Sequence, residues 1–130
     1  MKGDIFIMKL NPDCLRDLLL LVEDETDLDN SVIISPSDFP QTLSSYESDE
    51  VMYHIKQAQL SNLIEATWFV DGSCLIKYLT PNGHQFVSNI ENDDIWSKVK
   101  DTSKKIGINS VSTLVQIASN VVLAAIQSHF

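Results

Sequence analysis

Apolar positions recur along this chain at two periods, three-and-four and strict alternation, and the change between them marks out its elements. Leu15, Leu18, Leu19 and Val22 form a helical stripe with Arg16, Asp17 and Glu23 turned away from it. Asn11 and Pro12 supply a cap and a first helical residue, so the spacing predicts a helix from Pro12 to about Glu25. Val32, Ile33 and Ile34 predict a short strand. The stretch from Ser35 to Ser45, with Pro36 and Pro40, predicts a loop or one distorted turn. Ser48 reads as an N-cap ahead of Asp49 and Glu50, where a helix dipole favours negative charge. Val51, Ile55 and Ala58 continue that helix, and Asn62 suits a left-handed closing residue. Alternation on either side of Asp71-Gly72 predicts a hairpin.

Beyond the hairpin the helical period returns. Thr80-Pro81 opens a helix buried through Phe86, Val87 and Ile90. Another runs from about Asp93 to Ile106 and stops at Gly107, with Trp96, Val99 and Ile106 inward and Lys98, Lys100, Lys104 and Lys105 outward. Ser110 caps a last helix in which Leu114, Ile117, Ala118, Val121, Val122, Ala125 and Ile126 form a stripe that Val111, Val115, Leu123 and Ala124 widen. Gln116, Ser119 and Asn120 interrupt it, so no membrane span is expected. The apolar residues occupy more than one face. A homodimer, or a higher even oligomer, held by Val115, Val122, Leu123 and Ile126 is therefore expected.

The expected fold class is α+β: a winged-helix-like domain over 8–90, with C-terminal helices over 91–130 packed on it or oligomerising. Residues 1–7 are expected to be an extension before Met8, or an added edge strand. Val51, Ile55, Leu63, Leu79 and Phe86 should share a core with Leu15, Leu18 and Leu19.

Charge changes the picture more than composition does. The formal net charge is −9, and residues 1–50 carry 12 acidic against 3 basic side chains, while 51–130 balance. An acidic half argues against tight, non-specific DNA binding, which depends on Lys and Arg. Asp27 and Asp29 invite a calcium loop, but the central Gly and closing Glu of an EF-hand are missing. His54, His84 and His129 have no Cys or carboxylate at ligand spacing, and no phosphate loop, nucleophile elbow or paired acid/base motif occurs. No enzymatic activity, metal, cofactor or small-molecule ligand is expected. Cys14 and Cys74 read as reduced core thiols in a cytoplasmic protein without a signal peptide.

Several stretches together carry a resemblance: Met8-Lys-Leu-Asn-Pro-Asp-Cys-Leu-Arg-Asp-Leu-Leu, Ser48-Asp-Glu-Val-Met-Tyr-His-Ile-Lys, Leu63-Ile64, Leu79-Thr-Pro-Asn-Gly-His-Gln-Phe, Asn89-Ile90 and Trp96-Ser-Lys-Val-Lys. From Met8 to about Ile126 the chain resembles a domain-of-unknown-function family of small bacterial proteins from phages, prophages and mobile elements of Firmicutes. That resemblance implies a winged-helix-like fold and a phage setting, and no activity. The 53–64 and 79–86 stretches are also similar to the recognition helix and post-wing helix of winged-helix regulators, though those carry more basic residues than Lys56 and Lys77.

Two functions follow as expectations. One is a DNA-binding accessory or regulator contacting duplex DNA through Tyr53, His54, Lys56, Gln57 and Lys77. The other is an acidic module that binds and inhibits a host enzyme or defence protein, with Asp24, Glu25, Asp27 and Asp29 imitating a nucleic-acid backbone.

Overall fold

The computed structural model describes residues 9–107 and 110–128; the expectations about residues 1–7 and His129 lie outside them. Helix α1 (Pro12–Glu25) is followed by strand β1 (Val32–Ile34), a 3-10 turn (Gln41–Leu43) and helix α2 (Ser48–Leu60). Strands β2 (Ile64–Trp68) and β3 (Cys74–Leu79) form the hairpin. Helices α3 (Pro81–Ile90), α4 (Asp93–Ile106) and α5 (Val111–Gln127) complete the chain. The architecture is α+β, with the helix–hairpin–helix order expected from the sequence.

The sheet is antiparallel with order β1-β3-β2. Ile34, Cys74 and Ile76 point into the core, while Ile33 and Thr67 on the alternate positions are exposed. Helices α1, α2 and α3 cover the inner face. The core joins Leu15, Leu18, Leu19 and Val22 of α1 to Val51, Ile55 and Ala58 of α2, and to Leu63, Leu79, Phe86, Val87 and Ile90. The eight residues expected to share one core, Leu15, Leu18, Leu19, Val51, Ile55, Leu63, Leu79 and Phe86, are all buried.

The junction of α2 with α3 shows why this segment organises the rest. Helix α2 ends with Asn62 in the left-handed region (φ 61°). Leu63 N–H donates to the Ala58 carbonyl and Asn62 N–H to that of Gln59, which satisfies the last carbonyls of the helix. The freed Leu63 carbonyl accepts from Thr80 N–H at 3.0 Å, and Thr80 Oγ1 donates to the Asn62 carbonyl at 2.6 Å while accepting from Gly83 N–H. A Cβ on Gly83 would lie 2.0 Å from the Leu63 oxygen, so the approach of α3 to this cap requires glycine.

The C-terminal helices are tied to α1. Arg16 donates to the carbonyls of Ile90 and Glu91 and to Asp93, and lies 5.5 Å from the Trp96 ring centroid. Asp13 accepts from Trp96 Nε1 at 2.9 Å and pairs with Lys100 at 3.1 Å.

Three local expectations are corrected. Ser48 is the first residue of α2 rather than its cap; Glu47 occupies the cap position with no side-chain bond. Ile106 is 63% exposed, although it continues the helical spacing of the buried Trp96, Val99 and Ser103. Helix α5 is buried only over its first half, at Val111, Leu114, Ile117 and Ala118, so the long stripe is only partly a core stripe.

Candidate functional site

The residues proposed for contact with a ligand lie on α2, on the hairpin and on the loop after α1. Helix α2 turns Val51, Ile55 and Ala58 inward, and leaves Asp49, Lys56 and Leu60 exposed with Met52, Tyr53 and Gln57 half-buried beside them. Positions 53, 56 and 57 share one side by helical spacing. His54 does not join them. It is wholly buried, its Nε2 accepts from Asn11 N–H at 2.9 Å, and its Nδ1 donates to the Glu50 carbonyl at 2.7 Å. Burial holds its pKa below the ordinary value, against the opposing pull of Glu50. Glu50 also accepts from Asn11 Nδ2 at 2.9 Å, while Asn11 Oδ1 caps α1. His54 is therefore a staple between the start of α1 and the middle of α2, which removes it from the set of ligand-contacting residues.

The hairpin is locked onto α2 from the same helix. Gln59 donates to the Ala66 carbonyl at 3.0 Å and accepts from Trp68 Nε1 at 2.7 Å. One turn earlier Lys56 Nζ sits 5.4 Å from the Trp68 ring centroid. Gln59 was not singled out from the sequence; a glutamine one turn from a helix end carries no signal until a strand tryptophan is known to face it. Lys77 lies at a bulge, where the register shifts between Glu65 and Ala66 and Lys77 has no cross-strand mate.

The hairpin tip is shaped by Asp71, whose Oδ1 accepts from Ser73 N–H and Oγ, with Gly72 at φ 89°. Those bonds hold the Asp71 carboxyl below the usual range. Phe69 (46% exposed) and Val70 (109%) project at the tip, so its leading edge is apolar. Across α2 and the hairpin, two lysines, Lys56 and Lys77, face four carboxylates, Asp49, Glu50, Glu65 and Asp71.

The acidic loop is ordered by its own aspartate. Asp27 accepts from the backbone N–H of Asp29 and Asn30 and from the Asn30 amide, bonds that lower its pKa. Asp24, Glu25, Asp27 and Asp29 are exposed around a fully exposed Leu28. A groove of about 450 Å³ runs from Glu23, Thr26 and Leu28 to Tyr78 and His84 on the other side. The loop and the sheet thus form one surface, acidic at its rim and apolar on its floor.

The lysines of α4 are less available than their number suggests. Lys100 is paired with Asp13 and Lys105 with Asp101. Lys9, Lys100 and Lys104 border a groove of about 590 Å³ at the start of α1, which Asp13 shares. Among the described residues no three His, Cys, Asp or Glu side chains gather as a metal site, and no helix is long and apolar enough to cross a membrane. Both thiols are buried; burial pushes Cys14 up to about 12 and Cys74 to about 11.

Of the four residues expected to hold an oligomer together, Val115 and Val122 are half-buried, and Leu123 and Ile126 are 52% and 49% exposed. All four lie on α5.

An uncharacterized protein of Haemophilus influenzae (strain ATCC 51907 / DSM 11121 / KW20 / Rd) is 29% identical over 119 residues, covering 88% of this chain and 96% of that protein. No solved structure matches. Residues 9–109, which hold every element from α1 to α4, match the family described as hypothetical protein (DUF2513), and the chain belongs to that family.

Proposed function

We propose that this protein is a non-catalytic, winged-helix-like binding module whose ligand is another protein. The charge of the surface that would read DNA carries this reading. Four carboxylates outnumber two lysines on α2 and the hairpin, and the hairpin tip offers Phe69 and Val70. Duplex binding depends on basic anchors that position a reading helix on the phosphates. The element that would precede α2 in a helix-turn-helix, and cross the backbone, is here the three-residue turn Gln41–Leu43.

The partner that fits presents basic side chains around an apolar projection, so that Asp24, Glu25, Asp27 and Asp29 meet the former and the Leu28–Tyr78 groove takes the latter. A host enzyme or defence protein with a nucleic-acid groove has such a surface, and the acidic loop would occupy it as a backbone mimic. The phage or mobile-element setting implied by the resemblance, and a cytoplasmic site of action, belong to this reading.

Direct DNA binding is the second reading, supported by Tyr53, Lys56 and Gln57 sharing one accessible side of α2. A gel-shift titration with random duplex at low salt, alongside capture from host lysate, separates the two. The expected result is no shift at micromolar protein, and capture of a basic protein that is lost when Asp24, Glu25, Asp27 and Asp29 become their amides. A shift abolished by Lys56→Glu, with a log–log salt slope of about −0.9 per phosphate contact, would overturn the protein-partner reading.

A further inference from the structure

Helix α5 has two apolar faces, and the second is covered only in part: Val115 and Val122 are half-buried and Ile126 is exposed. Val111, Leu114, Ile117 and Ala118 are buried against the body. Val115, Ser119, Val122 and Ile126 follow spacings of four, three and four, the seam of a helix pair. At about 100° per residue this seam lies about 100° around the helix from the buried one. Leu123, half-exposed, borders it.

The partly covered seam is continuous with α3. A groove of about 390 Å³ between the two helices is lined by Asn82, Gln85 and Asn89 from α3 and Ser112, Val115 and Ser119 from α5. Neither helix contains a single Asp, Glu, Lys or Arg. Their 10 and 17 residues, at the chain's 21% charged content, would carry about six. A charge-free surface spanning two helices therefore stands on a chain of net charge −9.

We infer that the α3–α5 surface is a twofold interface with a second copy of this chain. Two copies of a protein at −9 repel, and a twofold contact brings each patch onto itself, so any unpaired charge near the axis meets its own kind. A surface free of charge is the one place where self-association escapes that repulsion. A foreign partner has no such requirement, and a basic one is drawn to the acidic loop instead. The size also fits. A 17-residue helix is about 26 Å long, and a helix pair of that length with the flanking α3 groove approaches the roughly 800 Å² per partner of a stable dimer. The interface is independent of whether the acidic loop binds a protein.

Sedimentation equilibrium of the full chain across a concentration series tests this. The expected mass is twice the monomer's 14.6 kDa, with an association constant that rises or holds as salt increases, since screening relieves repulsion between the acidic bodies. Val122→Glu/Ile126→Glu should raise the dimer dissociation constant at least about tenfold while helix content by circular dichroism is unchanged. Gln85→Glu, an exposed polar position on α3, should weaken the dimer in a salt-relieved way, and it decides the matter if the double variant misfolds. A wild-type monomer at about 100 μM, where even a micromolar dimer forms, would overturn the inference. So would a dimer that both variants leave intact, or one that salt dissociates.

Discussion

Acidification should destabilise this protein through His54 at a pH above the range in which Asp13, Asp27 and Asp71 titrate. The side chain is wholly buried, and its Nε2 must be unprotonated to accept the Asn11 N–H at 2.9 Å. Protonation would place a donor against a donor and a charge in the core. Burial holds the folded-state pKa below the ordinary 6.5, so below that pH the unfolded chain binds a proton that the folded one refuses. Stability is thus full above pH 6.5 and falls as pH drops towards the folded-state pKa, by up to about 1.4 kcal/mol for the first unit of acidification. Asp13, Asp27 and Asp71 have lowered pKa values and lose their contributions only below the usual carboxylate range, outside this window. Urea midpoints at pH 7.5, 6.5 and 5.5 should be compared between wild type and His54→Gln, whose amide keeps an acceptor but does not titrate. Wild type should lose more stability than the variant between pH 6.5 and 5.5, by at most about 1 kcal/mol. Parallel pH profiles would refute the staple.

Four further outcomes follow from named residues. Gly83→Ala should destabilise by about 2 kcal/mol or more in urea unfolding, because its Cβ meets the Leu63 carbonyl at 2.0 Å. Gly107→Ala, with open space around it and φ 79°, should cost only the left-handed strain of about 1 kcal/mol. Gln59→Ala should cost about 1 kcal/mol and speed hydrogen exchange in the hairpin relative to α1, since it frees Trp68 Nε1 and the Ala66 carbonyl together; uniform exchange across both elements would show that the hairpin is not pinned there. Cys14 and Cys74 should resist a thiol reagent at pH 8 in the native protein and react fully in denaturant, as their burial and raised pKa values require.

The fold was legible where local chemistry and periodicity agreed. Asn11-Pro12, Thr80-Pro81 and Ser110 each announce a helix start, and the side chains of Asn11, Thr80 and Ser110 accept the expected backbone bonds. Asn62 and Gly107 close helices in the left-handed region, as their residue types suggest. Misreadings arose where local rules left a choice. Propensity makes Ser48 the cap, yet the helix begins one residue earlier than that rule places it, with Glu47 in the cap position. Ile106 obeys the helical period but is exposed, and period alone does not say which positions of a stripe meet a neighbour.

The candidate site was legible in charge and illegible in orientation. Acidic excess in the first 50 residues is visible by counting, and the exposed end of α1 with the loop after it, from Glu23 to Asp29, carries much of it. His54 shows the opposite case. It stands between Tyr53 and Lys56 on a helix and reads as an outward-facing group until the three-dimensional partner, Asn11 at 43 residues' separation, is known. The α3–α5 surface lies between these extremes. Its apolar half was visible as an over-wide stripe on the last helix, but its polar half, Asn82, Gln85 and Asn89, looks like any solvated helix face in sequence. Only when the two helices are placed side by side does the shared absence of charge become a property of one surface. On this chain that absence matters because charge elsewhere is so lopsided. A contact made through the acidic loop should weaken with salt, while one made through α3 and α5 should not, so ionic strength distinguishes the two surfaces without removing a residue from either.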